Sequence, residues 1–240
     1  LSFFDAFAEV CYKIIAMIMK TAPIGVFCLL LPVVVMNGPK VLLPLLSVII
    51  CMLIGCTIHA VCVYSAMTTV AAHMSPVTFF RGMSEAMAIA FTTCSSAGTL
   101  PVNMKNVQEK LGVHRDIASF VLPLGATINM DGTALYMGVC SIFIANVFGV
   151  PLTFDQMMMI VLTGTLASIG TAGVPGAGLI MLAMVLQSVG LPLEGLALVA
   201  GIDRVLDMFR TCLNITGDAA VAVVVNASEQ EVPSDIQITE

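Results

Sequence analysis

The chain has 240 residues, of which 59% are hydrophobic and only 10% charged, with a mean hydropathy of +1.04. A soluble domain carries about 25% charged residues, so nine Lys plus Arg and fifteen Asp plus Glu cannot cover a water-facing surface. The composition therefore excludes a soluble enzyme and a disordered chain, and the net charge of −6 argues against nucleic acid, which needs clustered Lys and Arg.

An integral membrane protein remains. Residues 21–39, 41–80, 117–130, 132–154 and 156–193 contain no Asp, Glu, Lys or Arg. A spanning helix needs roughly 20 apolar residues, so several crossings fit. Leu1–Val10 carries Asp5 and Glu9 and lacks a basic n-region, so no secretory signal is read there. The first residue is Leu rather than Met, which fits a piece of something longer.

In chain order, residues 1–12 are expected at the membrane interface, with Phe3, Phe4 and Phe7 set against Asp5 and Glu9. A first span is predicted from about Lys13 to Met36, kinked at Pro23, and followed by the turn Asn37-Gly38-Pro39-Lys40. A second span covers 41–72 and is long enough to tilt. Segment 77–113 is too polar to span, because it carries Arg81, Glu85, Lys105, Glu109 and Lys110. Its centre, Thr92 to Pro101, is rich in hydroxyl residues with Gly98 and Pro101, which break a helix. A helical hairpin is predicted, with this stretch as its tip.

A span over 116–148 is interrupted at Gly125-Ala126-Thr127-Ile128-Asn129-Met130-Asp131-Gly132-Thr133, where Asn, Asp and Gly favour local unwinding. Freed carbonyls beside a carboxylate make an oxygen cage suited to a hard cation such as sodium. A kink buffered by an Asn-Asp hydrogen bond is the plain alternative. Residues 156–193 as one helix would measure about 57 Å against a core of about 30 Å. Ser168 to Gly178 is rich in Gly and divides this stretch, so a second hairpin is expected over 153–190. Non-helical backbone at membrane depth is tolerated only when buried in protein or lining a cavity. Paired interrupted segments point to the binding site of a secondary transporter.

The stretch 195–226 carries Asp203, Arg204, Asp207, Arg210 and Asp218 at membrane depth, where each charge costs at least about 2.5 kcal/mol. With about 100° per residue and Asp203 at 0°, Asp207, Arg210, Thr211, Asn214 and Asp218 fall within an arc of about 100°. Arg204 sits on the edge of that arc. A stripe of mutually neutralising pairs would explain Asp207 with Arg210, but it leaves excess carboxylates, Asp131 included. Uncompensated buried carboxylates take up protons or bind cations, and cation binding is the reading adopted. Residues 227–240 form an acidic tail. Lys and Arg asymmetry places Arg81, Lys105, Lys110 and Arg115 in the cytoplasm and Lys40, Asp155 and Glu194 outside, so the two hairpins enter from opposite faces.

The eight cysteines form no C-x-x-C pair, and most sit in apolar runs as small hydrophobes. Neither disulfide nor metal is assigned to them. His59, His73 and His114 are read as packed or interfacial.

Four motifs occur in order: S-S-A-G-T-L-P (95–101), G-A-T-I-N-M-D-G-T (125–133), S-I-G-T-A-G-V-P-G-A-G (168–178) and D-R-V-L-D-M-F-R-T-C-L-N-I-T-G-D (203–218). Together they resemble the dicarboxylate/amino acid:cation symporters, the group of sodium-coupled glutamate and aspartate transporters, over residues from about 10 to 226. The resemblance implies an all-α polytopic membrane protein of glutamate-transporter-like fold, with transmembrane helices and two re-entrant helical hairpins. It also implies a scaffold-type helix in 1–40, a transport domain in 41–226 and a tail in 227–240. The family's N-terminal helices are then missing from the 240 residues.

The resemblance further implies residue roles. Arg210 resembles the arginine that grips the substrate's side-chain carboxylate, and Asp207 the group that meets its amino group. Ser95, Ser96, Thr133, Thr211 and Asn214 resemble further substrate contacts, and Val174 and Gly178 resemble outer-gate positions. Gly125, Asn129, Asn214 and Asp218 resemble one sodium site, and Asn129 with Asp131 part of a second. Thr127, Ser168, Ile169 and Thr171 resemble a third. Cys94 and Met208 stand where family members place an arginine, and Arg204 is the candidate to supply that charge. Ala97 replaces a serine common at the tip.

The function implied is secondary active symport of glutamate or aspartate with sodium, by alternating access in the cell membrane. It needs sodium as coupling ion, no organic cofactor, a lipid bilayer and, at full length, a homotrimer. The alternatives are C4-dicarboxylate or proton-coupled symport within the same family, an inactive truncated fragment, and, in another class, an intramembrane aspartyl protease using Asp131 and Asp218. The protease lacks its G-x-G-D signature and gives Arg210 no role.

Overall fold

The computed structural model describes residues 2–38 and 42–231. These residues are helical throughout, with no strand among them. The elements are α1 (Ser2–Lys20), α2 (Ala22–Asn37), α3 (Leu42–Ile58), α4 (Pro76–Thr93), α5 (Ser96–Glu109), α6 (Arg115–Ile128), α7 (Asp131–Val147), α8 (Phe154–Ile169), α9 (Ala177–Ser188), α10 (Gly195–Ala200) and α11 (Asp203–Glu231).

The first predicted span is two helices rather than one kinked helix. Helix α1 begins at Ser2, and the chain breaks at Thr21 with Pro23 in the first turn of α2. Proline is tolerated there because the missing N–H would have no partner anyway. Part of the predicted turn, Pro39-Lys40, lies outside the described residues, as does the tail from 232 onward. Helix α11 runs to Glu231, past the expected start of the tail at 227.

Three helices are long and apolar enough to cross a membrane, over Leu43–Ala71, Arg115–Val147 and Asp203–Glu229. The first is α3 continued by π-helical turns at His59–Tyr64 and Met67–Ala71. Its Leu43, Leu46, Ile50, Ile54, Ile58 and Val61 are exposed, a contiguous apolar face of the kind that lipid solvates. This is an integral membrane protein.

Helix α11 packs against α3, α4, α5, α6 and α7. Its apolar side, with Leu206, Leu213, Ile215, Ala219 and Ala222 buried, joins Met52, Phe79, Met83, Leu122 and Tyr136 in one core. The expected continuous helix over 195–226 is bent at Gly201-Ile202, which leaves Asp203 in the first turn of α11. An acidic residue there is favoured by the helix dipole.

Helices α4 and α5 pack side by side, as do α8 and α9. At the base of the first pair, the Lys110 ammonium donates to Glu85 at 2.7 Å, and this hydrogen bond holds the Glu85 carboxyl below the usual range. The tip of that pair is shorter than predicted. Only Cys94 and Ser95 leave the helix, and Pro101 is accommodated inside α5. Cys94 turns the chain with a left-handed φ of 55°. Ser95 then caps α5 by accepting from Gly98 N–H at 2.9 Å, which satisfies one of the orphan donors. The second pair is joined by a longer, Gly-rich loop, residues 170–176. The α6–α7 break falls at Asn129 and Met130 (ψ 82° and 54°), within the interruption read from the sequence.

Candidate functional site

The polar face expected on α11 exists and is buried. Asp203, Asp207, Arg210, Thr211, Asn214 and Asp218 are each 7% exposed or less. Charges so deeply placed are costly unless paired or neutralised, and Arg210 is paired. Arg210 Nη2 lies 2.9 Å from Asp207 Oδ1 and Nη1 4.0 Å from Asp203 Oδ1. The guanidinium also stacks 4.6 Å over the Tyr136 ring, a cation–π contact. Asp207 is held from two further sides: Thr211 Oγ1 donates to Oδ1 at 2.8 Å, and the Gly176 N–H donates to Oδ2 at 3.1 Å.

The loop 170–176 and the α4–α5 tip close over this pair. Ser95 Oγ and the Ala97 N–H both donate to Gly173 O, at 3.0 and 3.2 Å. Ser96, Thr133, Val174, Gly178, Asp207, Arg210, Thr211 and Asn214, all singled out from the sequence, line one cavity here. Cys94, Met130, Thr171, Ala172 and Gly173 complete its wall. Its volume is about 10 Å³, room for a single water molecule. Anything larger enters only if the loop 170–176 moves. Ser95 is the exception among the candidates, since its hydroxyl is used as a cap and as the latch to Gly173.

Arg204 reaches the same tip from the edge of the helix face, where its Nη2 donates to Thr92 O at 3.0 Å. A second guanidinium therefore stands beside Cys94, whose thiol lies 3.9 Å from Arg204 O.

Below the cavity lies a carboxylate cluster. Asn129 Nδ2 donates to Asp218 Oδ1 at 2.9 Å and sits 3.5 Å from Asn214 O. Gly125 packs against Asp218, where a Cβ would meet Oδ1 at 2.5 Å. Gly125, Asn129, Asn214 and Asp218 thus lie together. Asn214 also ties this cluster to the cavity above. Its Oδ1 accepts from the Gly132 N–H at 2.8 Å, and its Nδ2 reaches Thr133 Oγ1 and Met130 Sδ at 3.2 and 3.1 Å.

Asp131 faces Tyr64 and also His59, a residue expected to be packed or interfacial. Tyr64 donates to Oδ2 at 2.8 Å, and His59 Nε2 lies 3.3 Å from the same atom. Both come from the π-helical turn, which widens the helix and turns them inward; such turns cluster at functional sites. A lone tyrosine within an apolar span was the available signal.

The third expected ion site is not assembled in the same way. Thr127 is exposed and donates to Leu124 O at 2.9 Å. Ser168 and Thr171 donate to Thr165 O and Ala167 O within their own helix turn, and Ile169 is exposed. Among the described residues no hydrogen bond joins Thr127 to these three.

Chemically, the site offers the Arg210 guanidinium with that of Arg204 at its edge, carboxylates, hydroxyls, and a carboxylate–amide cluster one layer below. The donor set of that cluster is all oxygen and amide, which suits a hard cation rather than a soft metal.

Comparison with known proteins gives one consistent result. The family model described as the sodium:dicarboxylate symporter family matches residues 1–228. The chain is 40% identical over 225 residues to the excitatory amino acid transporter of Caenorhabditis elegans, covering 93% of this chain and 45% of that protein. To excitatory amino acid transporter 2 of Homo sapiens it is 39% identical over 232 residues, covering 95% and 40%. To excitatory amino acid transporter 1 of Mus musculus it is 41% identical over 225 residues, covering 93% and 41%. The chain spans under half the length of these curated relatives.

Proposed function

Since the chain belongs to the sodium:dicarboxylate symporter family, we propose that it forms the transport part of a sodium-coupled symporter for acidic amino acids. The observation that carries this reading is the sealed Arg210–Asp207 pair, closed over by two hairpin tips. A bidentate guanidinium suits a carboxylate, so Arg210 binds the substrate's side-chain carboxylate. Asp207 meets the ammonium, which favours an amino acid over a plain dicarboxylate. Thr211, Asn214, Thr133 and Ser96 supply the remaining polar contacts, with Val174 and Gly178 on the gate.

Sodium is held at Asp218 with Gly125, Asn129 and Asn214, and beside Asp131 with Asn129. A third ion binds at Thr127, Ser168, Ile169 and Thr171, which must draw together beyond the arrangement seen here with the loop 170–176 closed. If the loop 170–176 completes its closure only when sodium and substrate are both bound, their binding is positively linked, and the ion gradient drives accumulation. The pairs α4–α5 and α8–α9 act as re-entrant hairpins from opposite faces. Residues 41–226 move as the transport unit against a scaffold that includes 1–40, in a homotrimer of the cell membrane, by alternating access.

The test is labelled aspartate uptake by the full-length protein in liposomes, with and without an inward sodium gradient. Sodium-dependent accumulation is expected. Accumulation driven equally well by a proton gradient without sodium would overturn the coupling ion, and uptake of succinate but not aspartate would overturn the substrate.

A further inference from the structure

A second cavity lies between α3 with its π-helical continuation, α4 and α11, and it shares no lining residue with the polar one. Its volume is about 360 Å³, within the range of ligand pockets. Cys56, Ala60, Met87, Phe91, Phe209 and Leu213 form most of its wall. Among the described residues, no acidic, basic or histidine side chain lines it. Two threonines face it, and both hydroxyls are already engaged: Thr57 Oγ1 donates to Leu53 O and Thr216 Oγ1 to Cys212 O, each at 2.7 Å. The thiols of Cys56 and Cys212 pack as small hydrophobes. A pocket built in this way takes an apolar occupant.

The membrane spans fix its depth. The span Leu43–Ala71 has its midpoint at Thr57 and the span Asp203–Glu229 at Thr216, and both midpoints line the cavity. The cavity therefore sits at the centre of a hydrocarbon core about 30 Å thick, out of reach of a lipid headgroup. Its mouth is formed by Leu53, Thr57 and Val61, which are exposed on α3 beside the apolar face that lipid solvates. Size then selects the occupant. One turn of helix, a cylinder about 10 Å wide and 5.4 Å long, fills roughly 420 Å³, so a helix from another segment does not fit. A hydrocarbon chain does, since a dry cavity of about 150 Å³ already holds benzene.

We propose that this cavity binds the methyl end of a phospholipid acyl chain, which enters from the bilayer past Val61. The bound chain bears on the contact that seats the α4–α5 tip against α11. Phe91 and Phe209, both in the wall, meet edge to face with ring centroids 5.5 Å apart. Phe209 directly precedes Arg210, and Thr92, next to Phe91, accepts the hydrogen bond from Arg204. A filled pocket supports this contact from behind, as close packing requires.

The test is photolabelling of the full-length protein in phosphatidylcholine vesicles. One tracer phosphatidylcholine carries a diazirine at the methyl end of an acyl chain, and a second carries it beside the ester. Peptide mass spectrometry reads which residues are labelled. The methyl-end probe should label Met87 and Leu213 on the wall, and the ester-end probe should not. Ala60→Phe fills the pocket and should abolish the wall label, while label on the exposed Ile50 and Ile54 of α3 remains. If that variant does not fold, Val61→Trp blocks the mouth from an exposed position and should give the same loss. Wall label that survives in the filled or blocked variant overturns the proposal, as does equal wall labelling by the two probes. Absence of wall label in the unmodified protein, as when a side chain of another segment plugs the pocket, overturns it too.

Discussion

Gly178 lies so close to the guanidinium of Arg210 that a Cβ at that position would overlap Nη1 and sit 2.5 Å from Cζ. The glycine is in the first turn of α9, where alanine would otherwise favour the helix by about 0.8–1.0 kcal/mol. Its absence of a side chain is therefore set by the neighbouring charge and not by the backbone. Gly178→Ala should displace Arg210 and weaken aspartate at least tenfold, about 1.4 kcal/mol. Uptake kinetics of the full-length protein read this directly, and an unchanged affinity would separate Arg210 from substrate binding.

Arg210→Cys removes the cation that the substrate carboxylate needs. Acidic-substrate uptake should vanish while some neutral-amino-acid uptake survives. The same change leaves Asp207 buried and unpaired, at about 3–5 kcal/mol, so the thermal midpoint should drop. Adding Asp207→Asn should recover part of that stability without restoring aspartate uptake. Aspartate uptake persisting in the single variant would refute the assignment.

Gly125→Ala would press a methyl group onto Asp218 Oδ1. The carboxylate must then turn away from Asn129, and half-maximal sodium should rise severalfold with little change in aspartate affinity at saturating sodium. A sodium titration of substrate binding measures this, and equal shifts in both quantities would instead indicate general damage.

Tyr64→Phe deletes the hydroxyl that donates to Asp131 Oδ2. A hydrogen bond to a charged group contributes about 1.5–3 kcal/mol. Thermal stability should fall by an amount in that range, and added sodium should stabilise the wild type more than the variant. Equal sodium-induced stabilisation of both proteins would remove Tyr64 from any cation site.

Ser95→Ala breaks two contacts at once, the cap of α5 and the latch to Gly173. Loss of a cap alone costs about 1 kcal/mol. Loss of the latch should also expose the loop 170–176, so proteolysis near residue 173 should speed up in the absence of substrate. Unaltered cleavage would show that the Ala97 contact closes the loop by itself.

The sequence by itself determined that the chain lives in a membrane, because charge is too scarce for a water-facing surface. It also determined which residues of α11 share a face, because helix periodicity is a local property, and where helix α6–α7 breaks, because Asn129, Asp131 and Gly132 disfavour a helix locally. What periodicity could not supply was the neighbour of each face. That Gly178 frames Arg210 and that Tyr64 and His59 turn onto Asp131 both depend on how separate helices pack. The bend at Gly201-Ile202 and the two-residue tip at Cys94-Ser95 went the same way. Local composition over-predicted a helix break at Pro101 and missed the one at Gly201-Ile202: α5 tolerates a proline that disfavours a helix by about 3 kcal/mol because it packs against α4, α6 and α11, and such packing, which supplies most helical stability, is not visible in the local sequence.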